Sequence, residues 1–263
     1  MTRVAIVTGA GRGIGAAVAR GLGAEGWAVI CVDRGADDPR IPYPLATEGE
    51  LARVVEAVGA GGGTAEVLMG DAADRATLEQ AVALAEERFG GVDAVVAAAG
   101  VIAGGVPFWE MPLSEQDAVI EVDLLAVLTA ARVGVPALLR RPEPRSGRFI
   151  AIASAAAVRG LPMLAAYCAA KAGVTGLVRA LAVELRATGV TANAVSPGST
   201  RTAILEESAR LYGIDDSHHF GRQQPVDRLL DPAEIAAMVV WLAGERSSAV
   251  TGADLAVDGG LAV

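Results

Sequence analysis

The stretch TGAGRGIG (8–15) decides the fold of this 263-residue chain. It follows the apolar run RVAIVT (3–8) and opens a segment with helical periodicity (13–25). Glycines let a backbone approach a pyrophosphate closely, and the first turn of a helix offers free N–H groups and a positive dipole end. A glycine-rich turn alone can be no more than a tight turn. Between a strand and a helix, however, it predicts a dinucleotide site.

The same alternation continues along the chain. Strand-like runs at 3–8, 28–33, 64–71, 92–100, 148–154, 190–198 and 253–257 alternate with helical patterns at 13–25, 48–59, 75–89, 114–140, 164–187 and 232–243. This order predicts an α/β Rossmann fold, with a doubly wound, seven-stranded parallel sheet and helices on both faces. Because no linker interrupts it, residues 1–263 are predicted to form a single domain. The irregular segment 199–231 is predicted to be a substrate lid, since loops at the carboxyl ends of such strands line the ligand crevice.

Composition excludes several classes of function. Hydrophobic residues make up 52% of the chain and aromatics 4%, so the core must be built from small aliphatic side chains. A net charge of -9 opposes binding to nucleic acid or to an anionic membrane. The start of the chain lacks a signal-peptide pattern, and the longest nearly uncharged stretch, 94–105, is too short to span a bilayer. The sequence therefore predicts a cytoplasmic protein. Two cysteines without CxxC spacing, and no cluster with metal-ligand spacing, argue against a disulfide framework and a metal site.

Asp33 points to the kind of dinucleotide. It ends the second strand-like run, 18 residues after Gly15. A carboxylate at this position can bind the ribose hydroxyls of NAD and repels the 2′-phosphate of NADP. Arg34 and Arg12 could instead attract that phosphate. NAD is the predicted cofactor, with NADP as the alternative.

Three further side chains predict redox chemistry. Tyr167 and Lys171 lie four residues apart in YCAAK, and hence on one face of a predicted helix. A nearby ammonium and an oxidised nicotinamide would favour the phenolate, which could then take a hydroxyl proton while a hydride leaves the carbinol carbon. Ser154 ends the fifth strand-like run, where its hydroxyl can hold the substrate oxygen. A YxxxK pair by itself is also common by chance in helices.

In combination, TGAGRGIG, Asp33, Ser154, YCAAK (167–171) and SPG (196–198) resemble the classical short-chain dehydrogenase/reductase family, and the resemblance extends to VTGADLAVDGG (250–260). It implies that Tyr167 is the acid/base, that Ser154 polarises the substrate oxygen and that Lys171 binds the nicotinamide ribose. It also implies a homotetramer. The implied cofactor-binding residues are Gly9, Gly11, Arg12, Gly13, Ile14, Gly15, Asp33, Arg34, Asp71, Ala72, Ala98, Ala99, Gly100, Tyr167, Lys171, Pro197, Gly198, Thr200 and Thr202. The predicted function is NAD-dependent interconversion of a small, mainly apolar alcohol and its ketone or aldehyde. An NADPH-dependent ketoreductase and a non-catalytic dinucleotide-binding protein remain the alternatives.

Two departures from the family pattern stand out. Where the family has Asn-Asn-Ala-Gly, this chain has AAAG (97–100), which predicts the loss of one or two hydrogen bonds, each worth about 1 kcal/mol. Asp123, in VDLLA, replaces a catalytic Asn that lies in a helix kink. Asp123 is predicted to be a fourth catalytic residue, but its charge would weaken the effect of Lys171 on Tyr167.

The segment DDPRIPYPL (37–45) is unusual because three prolines fall within six positions, where a helix normally follows directly. Proline fixes φ and removes an N–H, so the segment cannot join a helix interior or a central strand. We expect this insertion (34–47) to lie over the adenosine end of the cofactor, with Tyr43 covering the adenine or ribose. The alternative is a surface insertion that touches nothing. It resembles an insertion in the mycofactocin-coupled branch, which includes carveol-dehydrogenase-like members. That resemblance implies non-exchangeable NAD that is reoxidised in place by an external carrier such as mycofactocin.

Overall fold

The computed structural model describes residues 2–263, whose regular elements alternate along the chain. The strands are β1 Val4–Thr8, β2 Ala28–Asp33, β3 Thr64–Met69, β4 Ala94–Ala97, β5 Arg148–Ile152, β6 Thr191–Pro197 and β7 Asp254–Val257. The α-helices are α1 Gly13–Ala24, α2 Glu48–Ala60, α3 Arg75–Phe89, α4 Leu113–Ile120, α5 Ala126–Leu139, α6 Ala165–Glu184, α7 Ala203–Leu211 and α8 Pro232–Ala243.

The strands form one parallel sheet in the order β3-β2-β1-β4-β5-β6-β7. Strand β1 pairs with β2 on one side and with β4 on the other, so the direction of winding reverses between β1 and β4. In sheets of this kind, a crevice opens at the reversal, outside the carboxyl ends of the strands. The predicted doubly wound Rossmann fold with seven parallel strands is confirmed.

The sheet is buried on both faces by aliphatic side chains. Val4 and Ile6 of β1 belong to the apolar layer under α3, α5 and α6, whereas Ala5 and Val7 belong to the layer under α1, α2 and α8. Burial of a valine or isoleucine side chain contributes about 1.5–3 kcal/mol. Small residues allow close packing, because a Cβ added at Gly134 of α5 would lie 2.8 Å from a methyl of Val95 in β4.

Two elements differ from the sequence prediction. The helical pattern at 114–140 forms α4 and α5, which are separated by a π-helical segment, Glu121–Leu125. The segment 199–231, predicted to be irregular, contains α7, because Thr202 caps its first turn by accepting a hydrogen bond from the Leu205 N–H. A three-residue-per-turn helix, Ser217–Gln223, follows in the same segment.

Two helical stretches, Leu113–Leu139 and Ala165–Glu184, are long and apolar enough to cross a membrane by length and composition. Both are longer than the nearly uncharged stretch 94–105, which is too short to span a bilayer. Each packs one face against the sheet, and both therefore also meet the description of a core helix in an α/β protein.

Candidate active site

The glycine-rich turn after β1 forms a close backbone cradle. Gly9 and Gly13 adopt left-handed φ angles of 65° and 58°. A Cβ added at Gly15 would lie 2.1 Å from the Gly9 carbonyl oxygen, and one at Gly9 would lie 2.6 Å from the Cα of Ala99. Because no side chain fits at these positions, the backbone and the first turn of α1 stay accessible to a phosphate group.

A cavity of about 560 Å³ begins at this cradle and extends past the tips of β2, β4, β5 and β6. It brings together nearly all of the predicted site residues. Those lining it are Gly9, Arg12, Gly13, Ile14, Gly15, Asp33, Arg34, Asp71, Ala72, Ala98, Ala99, Gly100, Ser154, Tyr167, Lys171, Pro197, Gly198, Thr200 and Thr202. Two predicted residues, Gly11 and Asp123, do not line it. The Gly11 N–H instead donates a 2.8 Å hydrogen bond to Asp33 Oδ2.

The carboxylate of Asp33 and its neighbouring arginines define one end of the cavity. Arg34 Nη1 donates to Asp38 Oδ2 at 2.7 Å, and Arg34 Nε lies 3.7 Å from Asp71 Oδ2. Arg12 Nη1 donates to the Pro44 carbonyl oxygen at 2.8 Å. Both arginines that could attract a 2′-phosphate therefore have partners within the protein.

The proline-rich insertion, residues 34–47, is called the strap here, and it contacts both sides of the cleft. On one side, the Pro44 carbonyl of the strap accepts the hydrogen bond from Arg12, which lies at the phosphate cradle. On the other side, the Ile102 N–H donates a 3.1 Å hydrogen bond to Tyr43 Oη. Leu45 and Ala46 line the cavity, but Tyr43 does not. Tyr43 therefore lies between the Arg12 guanidinium, 5.9 Å from its ring centroid, and the segment after β4.

A buried carboxylate within the strap, that of Asp38, stabilises its conformation. The side chain of Asp38 is only 1% exposed and accepts hydrogen bonds from Arg34 and Arg40. The bond from Arg40 outweighs burial and holds the pKa of Asp38 well below its usual range. Arg40 also pairs with Glu121 in the π-helical segment. The strap is therefore tied to the element that carries Asp123.

Tyr167, Ser154 and Lys171 converge at the middle of the cavity. Burial raises the pKa of Tyr167, and the opposing effects of Lys171 and of a hydrogen bond from Ser154 do not reverse the shift. Lys171 Nζ lies 5.6 Å from the centroid of the Tyr167 ring and donates to the Ile152 carbonyl oxygen at 3.1 Å. Lys171 lowers the pKa of Tyr167, as predicted, but burial, with a smaller contribution from Asp123, outweighs it.

Asp123 lies directly behind Lys171. Its side chain is fully buried, with Oδ1 3.0 Å from Lys171 Nζ and Oδ2 accepting a hydrogen bond from the Val101 N–H. Among the described residues, Oδ1 has no donor in good hydrogen-bond geometry, so its pairing with Lys171 is chiefly electrostatic. Burial raises the pKa of Asp123, while burial of Lys171 is outweighed by Asp123 and Tyr167, which raise the pKa of Lys171. The π-helical bulge places this carboxylate close to Gly100, where an added Cβ would lie 2.9 Å from Oδ1.

The backbone near the AAAG stretch keeps its partners despite the missing asparagines. The Thr8 hydroxyl accepts hydrogen bonds from the N–H groups of both Ala98 (3.1 Å) and Ala99 (3.3 Å). The segment after β6 has a similar side-chain support that the sequence did not predict. The buried Gln224 side chain accepts a hydrogen bond from the Ser199 N–H at 2.8 Å and donates one to the Arg228 carbonyl. No local pattern identifies Gln224, because its partner lies 25 residues away.

The end of the cavity beyond Tyr167 is mainly apolar. It is lined by Ile204, Leu205, Tyr212, Ile214 and Phe220 from the segment 199–231, and by Leu161, Leu164 and Leu261. The Tyr212 hydroxyl donates to the Pro162 carbonyl at 2.7 Å and so connects this segment to the loop after Ser154. Val106 packs in the adjacent apolar cluster, whereas Trp109 is 83% exposed and points away from it.

Comparison with known proteins shows that the chain is similar to oxidoreductases along nearly its whole length. A family model described as enoyl-(acyl carrier protein) reductase matches residues 9–262. The chain is 36% identical to an L-rhamnose 1-dehydrogenase (NAD(P)(+)) of Azotobacter vinelandii, covering 99% of this chain and 97% of that protein. It is 35% identical to a cis-4-hydroxycyclohexanecarboxylate dehydrogenase of Sinomonas cyclohexanicum, covering 98% and 96%. A crystal structure of carveol dehydrogenase from Mycobacterium avium in complex with NAD superposes with a TM-score of 0.93 at 29% identity, over 98% of this chain and 97% of that one.

Proposed function

The chain belongs to the short-chain dehydrogenase/reductase family of oxidoreductases, and from that premise we propose that it oxidises a small alcohol to its ketone or aldehyde, reversibly, with NAD. One observation carries the proposal. Ser154, Tyr167 and Lys171 meet in the same cavity that holds Asp33 at its far end. A protein that only bound a dinucleotide would have no use for a buried phenol beside a paired lysine.

The residues present fit a dinucleotide. The cradle at Gly9 and Gly15 has no room for a Cβ, so backbone N–H groups of the first turn of α1 would hold the pyrophosphate. Asp33 would hold the adenosine ribose and Asp71 the adenine. The walls at Pro197–Thr202 and Lys171 would hold the carboxamide and the nicotinamide ribose.

Each catalytic side chain then has one task. Bound NAD supplies the acceptor for the hydride that leaves the carbinol carbon. The Ser154 hydroxyl holds the substrate oxygen, and Tyr167 Oη takes its proton. Since burial raises the pKa of Tyr167, the positive charges of Lys171 and of an oxidised nicotinamide together would shift the phenol toward the anion. Asp123 does not reach the cavity and acts as a positioning residue, fixing the charge and direction of Lys171.

NAD is favoured over NADP by the partners of the arginines. A 2′-phosphate would meet the carboxylate of Asp33, while Arg34 is already paired with Asp38 and Arg12 with the Pro44 carbonyl. The charge of Arg34 is offset by the Asp38 carboxylate, which weakens its attraction for a 2′-phosphate, whereas Arg12 keeps donors besides the one bound to Pro44. The repulsion by Asp33 and the weakened attraction of Arg34 both favour NAD.

The strap also supports retention of the cofactor. It bridges the phosphate cradle at Arg12 and the segment after β4 at Ile102, so it crosses the cleft over the length that a dinucleotide would occupy. We propose that NAD stays bound through turnover, and that the reduced cofactor is reoxidised in place by an external carrier such as mycofactocin. The segment 199–231 would act as the substrate lid of the same single domain.

The exposed apolar side chains support a homotetramer, and we propose that it is cytoplasmic. Leu125 and Leu128, near the start of α5, and Val183 of α6 are exposed by 46%, 38% and 74%. Neighbouring copies that pair these helices and the edge strand β7 would cover them.

The decisive experiment is to identify the nucleotide in the purified protein. We expect bound NAD(H) that survives dialysis, poor turnover with added free NAD, and restored turnover with an artificial electron acceptor. Nucleotide-free protein that runs many turnovers on added NAD would contradict retention and leave an ordinary dehydrogenase. Retention of NADP(H) would contradict the choice of cofactor.

A further inference from the structure

Arg159 provides a charged group at the substrate end that the proposed chemistry does not use. It lies in the loop after Ser154 and lines the cavity. Its Nη1 donates a 2.7 Å hydrogen bond to the Leu261 carbonyl oxygen, and its backbone N–H donates to the Ala155 carbonyl at 2.9 Å. The guanidinium is thus held between the active-site loop and the carboxyl-terminal segment, and this leaves its other donors available.

The balance of charge along the cavity singles out this side chain. Four cationic residues line the cavity in the described part of the chain: Arg12, Arg34, Lys171 and Arg159. Arg34 and Lys171 each have a carboxylate partner, and Arg12 lies at the phosphate cradle. Within residues 2–263, Arg159 has no carboxylate within ion-pair distance, and the two acids of the cavity lining, Asp33 and Asp71, lie at the adenosine end.

The surroundings of Arg159 define what it would bind. The remaining wall at this end consists largely of aliphatic and aromatic side chains, among them Leu161, Ile204 and Phe220. A ligand that fills it must have an apolar body. A planar guanidinium matches the two oxygens of a carboxylate, and one such group neutralises one negative charge. A second negative charge on the ligand would meet no other cation without a partner at this end of the cavity in the described residues.

We propose that the substrate is a hydroxy acid or the matching oxo acid, with an apolar body and one carboxylate that pairs with Arg159 at the end remote from the reacting carbon. This proposal rests on the proposed dehydrogenase function. It keeps the mainly apolar substrate predicted from sequence and adds a single charge at the mouth of the cavity.

Two measurements on the purified holoprotein test it. Calorimetry compares binding of octanoate with binding of octanamide. Turnover with an artificial electron acceptor compares medium-chain secondary hydroxy acids with their methyl esters. Arg159→Gln should weaken octanoate binding and lower kcat/KM for the acids on the order of tenfold, through KM, with little effect on amide or ester. Arg159→Lys should recover part of the loss. Arg222→Gln is the matched control, because Arg222 is exposed on the lid but does not line the cavity.

The outcomes separate this proposal from the one it rests on. Equal use of acids and esters, unchanged in Arg159→Gln, would overturn the carboxylate site and leave the dehydrogenase. Carboxylate binding that depends on Arg159, without oxidation of any alcohol, would overturn the dehydrogenase and leave the site. An equal loss in Arg222→Gln would show that only the general charge matters and would also overturn the site.

Discussion

The strap (34–47) and the lid (199–231) both cover the cavity and share one apolar cluster, in which Ile41 of the strap lies with Ile204 of the lid. Their other contacts differ in kind. The strap is fixed by directional polar contacts at Arg12, Ile102 and Glu121, with the buried carboxylate of Asp38 within it. The lid is held mainly by apolar packing around Leu205 and Phe220. Opening the strap breaks several hydrogen bonds and exposes a paired buried charge, whereas apolar surfaces can slide past one another. We therefore expect the strap to retain the cofactor and the lid to let the substrate exchange.

The largest effect is expected on turnover, with retention of the cofactor unchanged. Tyr167→Phe removes the oxygen that transfers the proton, so turnover should fall by about 10²–10⁴-fold. Folding and bound nucleotide should be nearly unchanged, because the ring still packs in its buried site. Rates with an artificial acceptor and the nucleotide content of the purified variant measure both. Undiminished turnover would exclude Tyr167 as the acid/base.

Removing the strap is the next test. Deletion of 38–46 should raise the rate of NAD release by about 10²-fold or more, because two bridging contacts and the Asp38 network vanish together. Dialysis against nucleotide-free buffer, followed by absorbance, measures the loss. Should the deletion fail to fold, Tyr43→Phe tests the same idea through the one contact with Ile102, with a release rate increased severalfold. Retention unchanged in a folded deletion variant would remove the distinction between strap and lid.

A substitution at Asp33 tests how the strap end of the cavity would select its cofactor. Asp33→Ala loses the contacts with the ribose and the repulsion of a 2′-phosphate, so NAD affinity should fall about tenfold and discrimination against NADP should relax. It also removes the acceptor of the Gly11 N–H, which loosens the cradle. Titration of nucleotide-free protein with each dinucleotide measures both effects. Equal affinities in the parent protein would contradict the premise.

The pH dependence of the oxidation rate tests the effect of the Asp123 carboxylate on Tyr167. Asp123 raises the pKa of Tyr167, so Asp123→Asn should lower it while Lys171 stays protonated. Oxidation requires the phenolate, and the rate therefore rises as pH passes through this pKa. The rising limb should therefore move to lower pH. A shift to higher pH would mean that Lys171 loses its proton without its partner. An unmoved limb would assign Asp123 a purely structural role.

The smallest effect is expected at the lid. Tyr212→Phe removes the hydrogen bond to the Pro162 carbonyl, and a net loss of about 1 kcal/mol corresponds to a fewfold increase in KM. Cofactor release should not change, because the lid does not hold the adenosine end. Comparison with Tyr43→Phe is direct, since each variant loses one phenolic hydroxyl. Faster release of NAD in Tyr212→Phe would show that the two segments move together.

Much of the fold was predictable from local sequence patterns. Short apolar runs between helical patterns located all seven strands, and a spacing of four residues placed Tyr167 and Lys171 on one face of a helix. The helix α7 could also have been found, since Thr202 precedes a run of good helix formers. The π-helical segment was not visible in the sequence period, because a one-residue bulge is specified by packing, and only the family resemblance implied a helix kink at Asp123.

The amino-acid sequence by itself determined the order of strands and helices, the glycine-rich turn after β1 and the candidates for the reacting side chains, because each follows from backbone geometry or the chemistry of nearby residues. The tertiary structure decided which charges act on one another. It placed Asp123 against Lys171, Tyr43 against the Ile102 amide 59 residues away, and Arg159 without a carboxylate partner at the mouth of the cavity. Electrostatic effects depend on distance and burial, and those two quantities exist only once the chain has folded.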